Sequence, residues 1–142
     1  MLSSDPTQYP VVLYVEDDAL SREIMEFYLE NAMGFSRNEQ IHVFENSQDF
    51  VPRLNNLPAK PDIVLLDIHM QPINGFEVLS QLRSQPGFEH TPVVALTASV
   101  MNEEIAMLRN AGFNGCIAKP INQATFADNL QKVLEGETIW QI

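Results

Sequence analysis

Cationic residues are scarce in this chain of 142 residues: 8 Lys and Arg stand against 19 Asp and Glu, a formal net charge of -11. No basic face is available to grip a nucleic-acid backbone, and an acidic surface is repelled by anionic membranes. Such a balance attracts a divalent cation or a basic patch on a partner protein instead. Cysteine is nearly absent. The single Cys116 has no partner for an internal disulfide, so nothing points to an oxidising compartment. No apolar run reaches the length of a membrane span. The opening Met1-Leu2-Ser3-Ser4-Asp5-Pro6 lacks the basic and apolar regions of a secretion signal. Repeats and low-complexity tracts are missing too. The expectation is a soluble cytoplasmic domain. Its length suits one core, and 45% hydrophobic residues argue against disorder.

Residues 1–9 are polar and read as a flexible N-terminal arm. Five short apolar runs follow, each ahead of an amphipathic segment. The first, Val11-Val12-Leu13-Tyr14-Val15, is β-branched and continuous, as a strand buried on both faces should be. Asp18 can cap the next helix, which carries Leu20, Ile24, Phe27 and Tyr28 on one stripe and stops at Gly34. After Ile41-His42-Val43-Phe44, Asn46 or Ser47 should start a helix presenting Phe50, Leu54 and Leu57, short or kinked because of Pro52. Ile63-Val64-Leu65-Leu66 precedes a helix with Phe76, Leu79 and Leu82, and Val93-Val94-Ala95-Leu96 one with Met101, Ile105 and Leu108. Cys116-Ile117-Ala118 precedes the last helix, with Phe126, Leu130, Val133 and Leu134, closed by Gly136. The expected architecture is α/β: a (βα)5, doubly wound, parallel five-stranded sheet in the order 2-1-3-4-5. One domain should occupy residues 10–136, with a C-terminal tail over 137–142 and no separate output domain.

Open parallel sheets form their sites at the carboxyl ends of the strands, beside the topological switch point. Glu16 and Asp17 follow strand one, Asp67 strand three, Thr97 strand four and Lys119 strand five. Three carboxylates in one crevice repel, and Lys119 supplies only one positive charge. A divalent ion brings the formal sum to zero. Mg²⁺ suits such a set because it takes one or two carboxylates, keeps several waters and accepts phosphate oxygens. Zinc-like nitrogen and sulfur spacing is absent. The assembly suits phosphoryl transfer to a carboxylate, with metal and ammonium neutralising the transferred oxygens and a hydroxyl adding one hydrogen bond.

These residues lie in Val-Glu-Asp-Asp at 15–18, Leu-Leu-Asp-Ile-His-Met at 65–70, Asn-Gly at 74–75, Leu-Thr-Ala at 96–98 and Ala-Lys-Pro at 118–120. With these five motifs in order, residues 10–136 resemble the receiver domain of bacterial two-component response regulators. The resemblance implies a flavodoxin-like three-layer sandwich. It implies that Asp67 is the phosphoacceptor and that Glu16 and Asp17 are the acidic pair. Asp17 and Asp67 would ligate Mg²⁺ directly, His69 through its backbone carbonyl and Glu16 through water. Thr97 would be the switch hydroxyl and Lys119 the phosphate-pairing lysine, its bond to Pro120 often cis in the family. The implied partners are a histidine kinase or phosphotransfer protein and a downstream protein target, with no nucleic acid or membrane, for a monomer or weak dimer. Three features depart from the family: Gln71 precedes Pro72, Cys116 replaces an aromatic residue, and residues 34–40 make a long connection.

Taken singly, each residue has a plainer reading. Glu16-Asp17-Asp18 is a solvated helix start, Asp67 a loop residue, Thr97 a cap and Lys119 a surface lysine. Their convergence at one sheet edge carries the functional reading. His42 and His90 read as structural or solvated, and Cys116 as a small buried apolar residue. His69 and Ser99, each two residues beyond a site residue, are candidates for tuning phosphoryl lifetime. Ile139, Trp140 and Ile142 should pack on the last helix or serve as a docking contact. The favoured reading is a stand-alone signalling switch rather than a turnover enzyme. One alternative is a phosphate-independent interaction module. A haloacid dehalogenase-like phosphatase is disfavoured because Asp67-Ile68-His69 lacks the second acid, and a flavin protein because no Ser, Thr and Gly cradle follows strand one.

Overall fold

A computed structural model describes residues 10–140; the expected arm over 1–9 and Ile142 lie outside the described residues. Five strands alternate with five helices: β1 (Val12–Val15), α1 (Ala19–Asn31), β2 (Ile41–Phe44), α2 (Phe50–Asn55), β3 (Ile63–Asp67), α3 (Gly75–Arg83), β4 (Val93–Thr97), α4 (Asn102–Ala111), β5 (Gly115–Ala118) and α5 (Gln123–Leu134). A sixth strand, β6 (Ile139–Trp140), follows α5. All pairings are parallel, and the order is β2-β1-β3-β4-β5-β6.

Alternation along each strand sends side chains to two cores. Leu13, Val15, Val64, Leu66, Val93, Ala95 and Cys116 face α2, α3 and α4, meeting Phe50, Leu54, Val78, Leu82, Ile105 and Leu108. Val12, Tyr14, Ile63, Leu65, Val94, Leu96 and Ile117 face α1 and α5, meeting Met25, Leu29, Phe126, Leu130 and Val133. Both faces are therefore covered, which is why the strands read as unbroken apolar runs.

Four expectations need correction. The sheet has six strands, because Ile139–Trp140 pairs with β5 instead of simply packing on α5. On α1 the buried residues are Met25 and Leu29, while Leu20, Ile24 and Phe27 are exposed. Two apolar stripes run side by side on this helix, and periodicity alone does not choose between them. Tyr28 does turn inward, its ring 5.8 Å from that of Phe126. Helix α2 starts at Phe50, after Asp49. Ser47 is instead used as a stitch, its hydroxyl donating to the Ile73 carbonyl (2.6 Å) and accepting from the Ile73 N–H (2.8 Å). Pro52 is the third residue of this six-residue helix, where a backbone N–H would have no partner within the helix. Met101, placed on the core stripe of α4, is its exposed N-cap.

The long 34–40 connection has a structural use. Phe35 is buried, and Arg37 reaches back to Glu26 (2.6 Å) and Glu30 (2.8 Å) of α1. Among the described residues no helix is long and apolar enough to cross a membrane.

Candidate functional site

The strand register decides what meets what. Val15 pairs with Leu66, Asp67 with Leu96 and Thr97 with Ala118, so the residues that end β3 and β4 and those that follow β1 and β5 emerge along one edge. Oxygen atoms of Glu16, Asp17 and Asp67 lie within 4.8 Å of one another. Glu16 and Asp67 are buried, whereas Asp17 is exposed. Lys119 Nζ stands 2.9 Å from Glu16 Oε1 and 3.4 Å from Asp67 Oδ1. One cation therefore reaches two of the three carboxylates.

Burial raises the Glu16 carboxyl above the usual carboxylate range; the neighbouring Asp67 adds to this and Lys119 opposes it. Burial by itself pulls Lys119 down, but its hydrogen bond to Glu16 and the two nearby carboxylates outweigh that and hold it charged. Tyr14 donates its hydroxyl to Glu16 Oε1 at 3.0 Å, and burial followed by the Glu16 charge raises the phenol. The exposed Asp17 carboxylate accepts from the Gln71 N–H at 3.1 Å. Asp18 caps α1 as expected, accepting from the Ser21 N–H at 2.8 Å.

The close approach of α3 depends on glycine. A Cβ on Gly75 would stand 3.0 Å from the Asp67 carbonyl oxygen and 2.8 Å from Ile68 Cδ1, so the Asn74-Gly75 pair lets the helix start directly against the strand end. Asn74 caps it, accepting from the Glu77 N–H at 3.0 Å.

Thr97 is nearly inaccessible, and its hydroxyl stays within its own loop, accepting from the Ser99 N–H at 3.1 Å. Ser99 in turn donates to the Glu104 carboxylate in the first turn of α4. A cavity of about 150 Å³ lies beside them, bounded by Ile68, His69, Phe76, Thr97, Ser99 and Glu104 among others. The His69 N–H points to Asp67 Oδ1 at 3.4 Å, and its side chain is exposed.

A family model described as response regulator receiver domain matches residues 12–131. The chain belongs to the response regulator receiver family. Among curated relatives it is 30% identical over 128 residues to chemotaxis protein CheY-3 of Vibrio cholerae, covering 87% of this chain and 91% of that protein. It is 32% identical over 75 residues to the polar-differentiation response regulator DivK of Brucella anthropi, covering 53% of this chain and 61% of the other. Among solved structures, chemotaxis response regulator CheY4 of Vibrio cholerae superposes with a TM-score of 0.76 at 25% identity, covering 87% of this chain and 98% of that one.

Within this receiver domain, Glu16, Asp17, Asp67 and Lys119 form one cluster. Thr97 sits on the same edge with its hydroxyl turned to Ser99 rather than to Asp67. His69 and Ser99 border the cavity beside it. The Lys119-Pro120 bond is cis, as is Gln71-Pro72. Three participants escape the motif reading. Tyr14 stands two before Glu16, on the same side of β1 by strand period, so alternation carried that signal. The Gln71 N–H and Glu104 act through loop geometry, which no residue pattern records. Cys116 is fully buried, its thiol pushed up to about 11 by that burial.

Proposed function

We propose that this receiver domain is a phosphorylatable switch in which Asp67 takes a phosphoryl group from a histidine kinase or phosphotransfer protein. The observation that carries this is the cluster itself: three carboxylates within 4.8 Å and one lysine reaching two of them. The donors are hard oxygens with a formal surplus of two negative charges, which fits Mg²⁺ better than a softer metal. Asp17 and Asp67 would hold it directly, with the His69 backbone carbonyl, and Glu16 through water. When bound, the ion neutralises phosphoryl oxygens and lowers the repulsion that an attacking carboxylate meets.

The carboxylate of Asp67 attacks phosphorus in line, the bond from phosphorus to the donor imidazole breaks, and an acyl phosphate forms. Lys119, held charged by its carboxylate neighbours, follows the negative charge onto the phosphoryl oxygens. Thr97 exchanges its loop contact with Ser99 for the same oxygens. Hydrolysis by water regenerates the carboxylate, so the domain cycles without turning over a free small-molecule substrate. His69 and Ser99, beside the path of that water, set the lifetime of the phosphoryl group.

The donor protein docks on α1. Leu20, Ile24 and Phe27 leave an apolar stripe in water, and Ile24 and Tyr28 share a groove with Lys119, Pro120 and Ile121. A helix laid there stands beside the lysine that reaches Asp67. The signal leaves through the surface of α4, β5 and α5, to a protein target.

Incubation with Mg²⁺ and acetyl phosphate, followed by intact mass, should show one labile phosphoryl group. An unlabelled parent chain would refute the reading. Phe27→Asp should slow transfer from a phosphotransfer protein about tenfold or more, as loss of a buried aromatic anchor does, while labelling by acetyl phosphate is unchanged. Equal slowing with both donors would remove the docking assignment. His69→Ala and Ser99→Ala should each change the decay rate of the isolated phosphoprotein, and unchanged decay in both would dismiss their role.

A further inference from the structure

Helix α4 is fastened at both ends. Near its start Glu104 accepts from the Ser99 hydroxyl, in the loop that also holds Thr97. Near its end the Arg109 guanidinium lies 4.6 Å from the centroid of the Trp140 ring. Trp140 belongs to β6, so the second fastening comes from a segment remote in sequence.

The seat of β6 is built. Gly136, at φ 97, turns the chain out of α5, and the Ile139 N–H donates to the Asn114 carbonyl at 3.3 Å. Gly115 pairs with Ile139 and Cys116 with Trp140. A Cβ on Gly115 would run into the Ile139 backbone and stand 2.8 Å from Ile139 Cγ1, so the absent side chain is what admits the strand. Ile139 is buried in the α1 and α5 core, and Trp140 packs against the opposite core. Two residues thus anchor on both faces of the sheet, and the tryptophan reaches α4.

We propose that β6 is a clasp on α4 whose Trp140–Arg109 contact is weakened when Asp67 is phosphorylated. The inference rests on the phosphoacceptor reading above. When Thr97 leaves Ser99 for the phosphoryl group, the loop that carries Ser99 and Glu104 changes shape. Helix α4 is a rod of ten residues, so its far end moves as well, and Arg109 slides off the ring. The clasp opposes that movement and therefore favours the unphosphorylated state. Coupling is reciprocal: removing the contact must favour phosphorylation by the factor with which phosphorylation disfavours the contact. A cation–π contact at an exposed site gives a factor of about two to five.

Trp140 is the only tryptophan of the chain, so its emission reports the clasp directly. Acetyl phosphate with Mg²⁺ should shift the emission of the parent chain in step with the phosphoryl mass, and leave Asp67→Asn unchanged. Arg109 is exposed, and Arg109→Ala should raise the phosphorylated fraction at limiting donor about two- to fivefold while abolishing most of the emission shift. Gly115→Ala, which evicts β6 by a different route, should raise the fraction in the same direction. Phosphorylation confirmed by mass, with constant emission and parental labelling in both variants, overturns the clasp and leaves the phosphoacceptor reading intact. Failure of the parent chain to label overturns both.

Discussion

The two ends of the sheet treat charge in opposite ways. At the amino-terminal end Asp62 and Arg83 have neutral partners. The Asp62 carboxylate accepts from the Val11 N–H at 2.8 Å. The Arg83 guanidinium donates to the carbonyls of Phe88 (3.0 Å) and Thr91 (2.6 Å) and to Asn114 Oδ1 (3.2 Å). Asn114 Oδ1 also accepts from the Val93 N–H at 2.9 Å. Those side chains close backbone groups that the strand ladder leaves open. At the carboxyl end, Glu16, Asp17 and Asp67 face one another, and Lys119 reaches only Glu16 and Asp67. The first arrangement is satisfied as it stands, and the second lacks positive charge. That contrast separates residues that hold the fold from residues proposed to take a ligand.

Exchanging a residue at each end is the strongest way to break the comparison. Asp67→Asn should abolish acetyl phosphate labelling altogether and leave the fold at least as stable, because one member of a repelling cluster becomes neutral. Arg83→Ala should keep the labelling and cost about 3 kcal/mol of stability, since charge-assisted bonds are lost and partly buried acceptors are left open. Denaturant titration and intact mass on both proteins check this. A destabilised Asp67→Asn, or an Arg83→Ala that fails to label while folded, would erase the distinction between the ends.

A smaller effect lies between the ends, in the dry middle of the sheet. The Cys116 thiol, pushed from 9.0 to about 11 by burial, is held neutral in the folded chain and ionises more readily once unfolded. Its contribution is therefore fully present below pH 9 and lost as the pH rises toward 11. Shifts of this size correspond to about 2.7 kcal/mol. Stability measured across that window should fall less steeply in Cys116→Ala than in the parent chain. Parallel curves would show that the thiol is not the source.

The site was more legible than the packing around it. Parallel strands all end on one side, so reading the residue after each apolar run was enough to assemble Glu16, Asp17, Asp67, Thr97 and Lys119 at one edge. The inner face of α1 was not legible, because Leu20-Ile24-Phe27 and Met25-Leu29 are both apolar at helical spacing. The outward stripe is conspicuous because of what it leaves exposed. Strand β6 was hidden for another reason. Two residues are too few to show a period, and its seat is marked by Gly115, a side chain that is missing. Glu104 reads as an ordinary exposed acid of a first helical turn, and only the fold brings it to Ser99.

The smallest effect tests the comparison most sharply. A cation that binds the folded cluster and not the unfolded chain stabilises by mass action, about 1.4 kcal/mol at ten times its Kd. Mg²⁺ should therefore raise the stability of the parent chain by that amount, and raise Asp67→Asn by less at the same concentration because one ligand has lost its charge. Arg83→Ala supplies the control. The strands between the two ends are dry, and no side chain bonds to both Arg83 and the carboxylate cluster among the described residues. Perturbations at sites more than roughly 10 Å apart without shared partners add to within about 0.5 kcal/mol. The Mg²⁺ increment should thus survive nearly whole in Arg83→Ala, although that protein starts from a lower stability. An increment that shrinks with Arg83→Ala as much as with Asp67→Asn would mean that the ends are coupled through the sheet, and that the fold-holding end takes part in building the ligand site.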